Sequence, residues 1–103
     1  SNQVGDAAQS LEFLTEAGKF SKATNSSLTS SVDLLSGALK SYNLSVDETN
    51  KVSSIFFKTI DLGRVDAQSL GNTFGRVGPI ASQLGVSLEE TGAAIAAISA
   101  PRT

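Results

Sequence analysis

Leu28-Thr29-Ser30-Ser31-Val32-Asp33-Leu34-Leu35-Ser36-Gly37-Ala38-Leu39-Lys40-Ser41-Tyr42 is the stretch whose reading decides the fold class. With residues about 100° apart on a wheel, Leu28, Val32, Leu35, Leu39 and Tyr42 fall within a stripe of about 80°, the mark of an amphipathic helix. The spacing predicts a helix over 27–42. Upstream, Ala7, Leu11, Leu14 and Ala17, flanked by Phe13 and Phe20, trace a wider apolar arc and predict a first helix over 3–23. Downstream, Ser45-Val46-Asp47-Glu48 fits a capping box, in which the Ser oxygen takes an orphan backbone N–H and the Glu reaches back to the cap. It opens a third helix over 46–62. The apolar set of that helix, Val52, Ile55, Phe56, Phe57, Thr59 and Ile60, covers about 200° of the wheel, too broad for one neighbour. Helix three is therefore expected to be central and the most buried.

Gly63 supplies a left-handed residue to end helix three, and Asp66, with Val65 before it and Leu70 after, caps a fourth helix over 67–75 with a hydrophobic staple. Pro79 fits the first position of a separate short turn running to Leu84 and closed by Gly85. Ser87-Leu88-Glu89-Glu90 is a second capping box. It starts a fifth helix over 88–99 with Leu88, Thr91, Ile95 and Ile98 on one face. The β-branched residues sit at helical spacings and no run has period two, so no strand is expected. The fold class read from the chain is all-α.

Comparing the chain with itself adds an arrangement. Asn43-Leu44-Ser45-Val46-Asp47-Glu48-Thr49 aligns with Gly85-Val86-Ser87-Leu88-Glu89-Glu90-Thr91 at an offset of 42. At the same offset Leu28 meets Leu70, Val32 meets Phe74, Leu35 meets Val77, Tyr42 meets Leu84, Leu14 meets Phe56 and Phe20 meets Leu62. The expectation is a 42-residue internal repeat of antiparallel helix pairs, with units about 24–65 and 66–103, inside a single helical domain spanning 1–103. Helices one, three and five would be equivalent, as would two and four, and the segment reads as a piece of a much longer chain.

Composition removes most chemistry. Eight Lys and Arg stand against ten Asp and Glu, giving a net charge of −2, and there is no His, Cys, Trp or Met. Without His or Cys there is no His/Cys metal site, no serine–histidine or cysteine–histidine nucleophile, no disulfide and no histidine switch. The basic residues are scattered and give no field for phosphate neutralisation, so no direct nucleic-acid binding is expected. The longest uncharged run, Val77 to Leu88, is too short for a bilayer and contains Gly and Pro, so no membrane contact is expected either. No cofactor is implied.

Paired carboxylates are the catalytic groups that remain. Asp47/Glu48 and Glu89/Glu90 lie in first turns of helices, where capping and the macrodipole account for them. Glu12 and Glu16, one turn apart, read as a solvated face near Lys19. The run Gly71-Asn72-Thr73-Phe74-Gly75-Arg76-Val77-Gly78 lacks the Gly-Lys-Ser/Thr ending and the preceding strand of a phosphate loop. Gly71 and Gly75, one turn apart, instead offer a helix a close approach. Gly92, Ala93, Ala96 and Ala97 repeat that small-residue surface, and Gly71, Gly75, Gly92 and Ala96 form the candidate helix-packing face, within the domain or between copies. The chain is read as a non-enzyme.

The ordered motifs carry a resemblance. Ile55-Phe56-Phe57-Lys58-Thr59-Ile60-Asp61-Leu62-Gly63-Arg64-Val65, then Gly75-Arg76-Val77-Gly78-Pro79-Ile80-Ala81, then Leu84-Gly85-Val86-Ser87-Leu88-Glu89-Glu90-Thr91 and Ala93-Ala94-Ile95-Ala96-Ala97, resemble the core region of phage tail tape measure proteins. Ala17-Gly18-Lys19, Ala23-Thr24 and the helix from Leu28 to Tyr42 follow the same order, and the resemblance covers nearly all of 10–98. It departs at Ser99-Ala100-Pro101-Arg102-Thr103, where the family pattern continues through a Gly into further helices. The resemblance implies a mostly helical virion structural protein of phages or prophages that occupies the tail lumen, is assembled in the host cytoplasm and sets tail length. The implied partners are other copies of itself and tail tube and tail tip proteins. It offers no catalytic residue to this segment. The alternative reading is a helical-repeat protein-binding module of a cellular protein, holding a peptide between helix pairs.

Overall fold

Five helices account for almost the whole chain in the computed structural model, which describes residues 3–101. Ser1, Asn2, Arg102 and Thr103, which the single-domain reading includes, lie outside the described residues. The helices are α1 (Gln3–Thr24), α2 (Leu28–Ser41), α3 (Thr49–Gly63), α4 (Ala67–Gln83) and α5 (Leu88–Ser99), with a short 3-10 turn at Val46–Glu48. No strand occurs among the described residues.

The helices form two rows. α2 lies chiefly against α4, α3 lies chiefly against α5, and α1 contacts both α2 and α3. One row thus holds α1, α3 and α5, the other α2 and α4, and consecutive helices alternate between them. The molecule measures 51 × 32 × 18 Å, a plate about two helices thick. Its core runs along the seam between the rows: Ala17 and Phe20 from α1, Leu34, Leu35 and Ala38 from α2, Val52 and Phe56 from α3, Leu70 and Phe74 from α4, and Leu88 and Ile95 from α5. Phe74 joins the rows. Its ring stands edge-on to Phe56 with centroids 5.1 Å apart and stacks on Tyr42 at 6.3 Å.

Capping chemistry fixes most helix ends. Ser27 accepts from Ser30 N, Asp66 from Ser69 N, and Ser87 with Glu90 completes a full capping box. At the C-termini, Asn25, Asn43 and Gly85 adopt positive φ, and the next residue's N–H returns to the carbonyl five positions back: Ser26 to Ser21, Leu44 to Leu39, Val86 to Ala81. Such left-handed closures satisfy carbonyls that the helix leaves without partners.

Four local expectations are corrected. α4 is one helix of 17 residues that runs through Pro79 rather than stopping near Gly75. The clash that disfavours helix before proline is between the proline ring and the preceding residue's N–H and Cβ, and Gly78 removes the Cβ part of it. The carbonyl of Gly75, which the missing N–H would have met, lies on an exposed turn where water reaches it. Secondly, Gly63 is the last helical residue of α3 and Arg64, at φ 54°, takes the left-handed position. Gly63 is needed inside the seam, where a Cβ would come within 3.0 Å of Ala96 Cα. Thirdly, Ser45 does not cap α3: its hydroxyl donates to the Asp47 carboxylate, the chain makes a 3-10 turn, and α3 begins at Thr49. Fourthly, the outward arcs are partly solvated. Ala7, Leu11 and Leu14 of α1 are exposed while Ala17 and Phe20 are buried, and Phe57 of α3 is also exposed. Helix α3 is central, flanked by α1 and α5, and α2 is equally enclosed, between α1 and α4.

The hydrogen bonds that close α2 recur at the end of α4 with an offset of 42: Tyr42 N to Ala38 O and Leu84 N to Ile80 O, Asn43 N to Lys40 O and Gly85 N to Ser82 O. Burial does not follow the same offset. Leu35 and Phe20 are buried whereas Val77 and Leu62 are exposed.

Candidate functional site

Small residues line the seam between α3 and α5. A Cβ on Gly92 would lie 2.8 Å from Thr59 Oγ1 and 3.2 Å from Ile55 Cγ2, and one on Gly63 would lie 3.0 Å from Ala96 Cα. The hydroxyl of Thr59 is itself turned back, donating to the Ile55 carbonyl at 3.1 Å, which keeps a buried polar atom satisfied where the helices approach. Gly92 and Ala96 are therefore occupied by contact with α3 inside the domain. Gly71 and Gly75 stand elsewhere. Nothing lies within 4 Å of a Cβ built on either, and Gly75 is exposed on the outer side of α4.

The contrast yields a direct expectation. Gly75→Ala, in open space on a helix, is expected to raise stability by about 0.4–1 kcal/mol by restricting the unfolded chain. Gly92→Ala meets two side-chain atoms and is expected to lose about 1 kcal/mol to overpacking. Urea denaturation of the two variants checks both signs.

The carboxylates act as ties and caps. Glu16 accepts from Asn50 Nδ2 at 3.1 Å and lies 3.8 Å from Lys19 Nζ, linking α1 to the start of α3. Glu89 meets Lys51 at 3.7 Å across two exposed side chains, an ion pair of small energetic worth. Ser87 N–H bonded to Glu90, and Ser69 N–H bonded to Asp66, hold those two carboxyls below their ordinary range. Glu12 is exposed. Among the described residues no cluster of three or more His, Cys, Asp or Glu is arranged to hold a metal ion. The stretch from Gly71 to Gly78 lies wholly inside α4, so it forms no loop that could aim successive N–H groups at a phosphate. No described helix is long and apolar enough to cross a membrane.

Two groups of residues had no signal in the sequence. Tyr42 donates to the Val86 carbonyl at 2.8 Å and sits 2.9 Å from Thr91 Oγ1, pinning the end of α2 to the α4–α5 turn. Thr24, Ser26 and the fully buried Ser31 form a hydroxyl chain, at 2.7 and 3.0 Å, that closes on the Ser27 carbonyl. Neither has a local spacing that would reveal it. The surface also carries an apolar groove: Val77 and Ile80 of α4, Leu84 and Val86 just after it, and Ile98 of α5 border it and are all exposed.

A family profile described as phage-related minor tail protein matches residues 3–103. The chain belongs to that family. A relative described as "Probable tape measure protein" from Clostridium phage phiCD119 is 30% identical over 88 residues, covering 85% of this chain. The matched part spans only 9% of the relative's own length. No solved structure matches the chain. Membership in the minor tail protein family makes this a phage tail, virion-associated protein.

Proposed function

We propose that this segment acts in tail assembly and tail length determination, as a structural part of a tape measure protein without catalytic activity. The similarity to the phiCD119 tape measure relative across 85% of the chain carries the reading. The partners we infer are other copies of the same protein and the tail tube and tail tip proteins, with neither nucleic acid nor membrane contacted by this segment. Its place is the tail lumen, after assembly in the host cytoplasm. The 42-residue correspondence and the matching closures of α2 and α4 support units of about 24–65 and 66–103 within a longer chain. Gly71 and Gly75, with open space above them, are the part of the small-residue set free to meet another copy.

The test is made in the parent phage. Gly75→Leu is expected to leave particles with few or no normal tails, while the purified segment carrying it keeps its helical content and melting temperature. Glu12→Gln and Glu16→Gln are expected to leave tail yield and length unchanged. Normal tails with Gly75→Leu would remove that face from assembly. Intact tails with lost infectivity from the carboxylate changes would point to an enzyme instead.

A further inference from the structure

The two rows are unequal. Three helices stand in one and two in the other, and the apolar groove between α4 and α5 lies where a third member of the shorter row would touch both. The inner groove, between α2 and α3, shows how such a site is filled. There Tyr42 and Phe56 flank the Phe74 ring of α4, and Leu35 and Ala38 of α2 are fully buried. Moved by 42 positions, Tyr42 becomes Leu84, Phe56 becomes Ile98, Leu35 becomes Val77 and Ala38 becomes Ile80. All four are large, apolar and exposed, Ile98 at 82% and Leu84 at 75%. Buried Ala81 and Ile95 form the floor. The outer groove thus continues the packing by which α4 lies on α2.

We propose that the α4/α5 groove receives one further amphipathic helix, which seats a bulky apolar side chain between Leu84 and Ile98 as Phe74 is seated between Tyr42 and Phe56. The chemistry of the occupant follows from the lining. Arg76 is its single charged member, and 42 positions earlier α2 carries the buried Leu34. The incoming helix therefore presents an uncharged, aliphatic or aromatic stripe, with at most a carboxylate at the edge that meets Arg76. A single helix suits the arrangement because it brings the shorter row to three members, level with the longer row. The proposal stands on the groove and its counterpart, whatever the role of the segment in a tail.

The probe is the peptide Ala67–Gln83, the chain's own α4 sequence, held helical by a lactam bridge on its outer face and labelled for fluorescence anisotropy. It already bears the complementary Phe74 face. Saturable binding to the full chain is expected, weakened at least tenfold by Ile98→Glu or Leu84→Glu in the chain and by Phe74→Ala in the peptide. Leu11→Glu, an exposed apolar site on α1, is expected to leave binding unchanged. Because Ile98 and Leu84 contribute little to the core, their variants are expected to keep the parent melting temperature. Absence of saturable binding, or binding indifferent to Ile98→Glu, overturns the proposal. So does concentration-dependent dimerisation of the chain alone that Ile98→Glu abolishes, since this assigns the groove to a second copy.

Discussion

Phe56→Ala is expected to destabilise the domain by about 3–5 kcal/mol, read as the loss of unfolding free energy in urea. The ring is fully buried at the centre of α3 and meets Phe74 edge-on across the two rows. Truncation removes the apolar contact area of a whole phenyl group and the favourable aromatic geometry, worth about 0.5–1.5 kcal/mol beyond area. It also leaves a void among Val52, Phe74 and their neighbours, which the packed helices close only in part. A loss below about 1 kcal/mol would mean that the rows are not joined at this point.

Gly63→Leu is expected to act by the opposite route. Its first side-chain atom would lie 3.0 Å from the Ala96 Cα and 3.4 Å from its carbonyl oxygen, so the obstruction is backbone. No rotamer relieves a clash at Cβ, and α5 must shift along or away from α3. The expected cost is about 1–3 kcal/mol, seen as a fall in Tm of roughly 4–8 °C for each kcal/mol in a domain of this size. Arg64→Gly makes an informative companion, since it relieves the left-handed backbone at position 64 without entering the seam. Unchanged stability of Gly63→Leu would show that α3 and α5 stand farther apart than the seam requires.

The helices were legible because their signals are local. The stripe from Leu28 to Tyr42 and the Ser87–Glu90 box depend on residues within a turn or two of each other, and both take the predicted form. The misread points involve competition between local and distant demands. Gly63 has the residue type that ends a helix, yet contact with Ala96 claims it, and Arg64 accepts the left-handed backbone instead. Pro79 reads as a helix start until Gly78 is seen to remove the Cβ part of the clash against continuation. Glycine spacing alone also ranked Gly71 and Gly75 with Gly92, although partners of a glycine lie on another helix and leave no trace in its own neighbourhood. The apolar groove was hidden for the same reason. Ile98 and Leu84 look like core residues on a wheel, and only the unequal rows reveal that nothing covers them.

The plate geometry also bears on extension. Five passes of helix are folded back within a greatest dimension of 51 Å, whereas a hundred residues drawn out as one continuous helix would reach roughly 150 Å at about 1.5 Å per residue. The contribution of this segment to any end-to-end distance is therefore set by whether its rows are closed, and opening the turns at Asn25, Asn43, Arg64 and Gly85 would lengthen it about threefold without melting a helix. Under the length-determining role proposed above, the graduation of such a ruler would be fixed by tertiary packing, and a buried substitution such as Phe56→Ala would alter its calibration while leaving the number of residues unchanged.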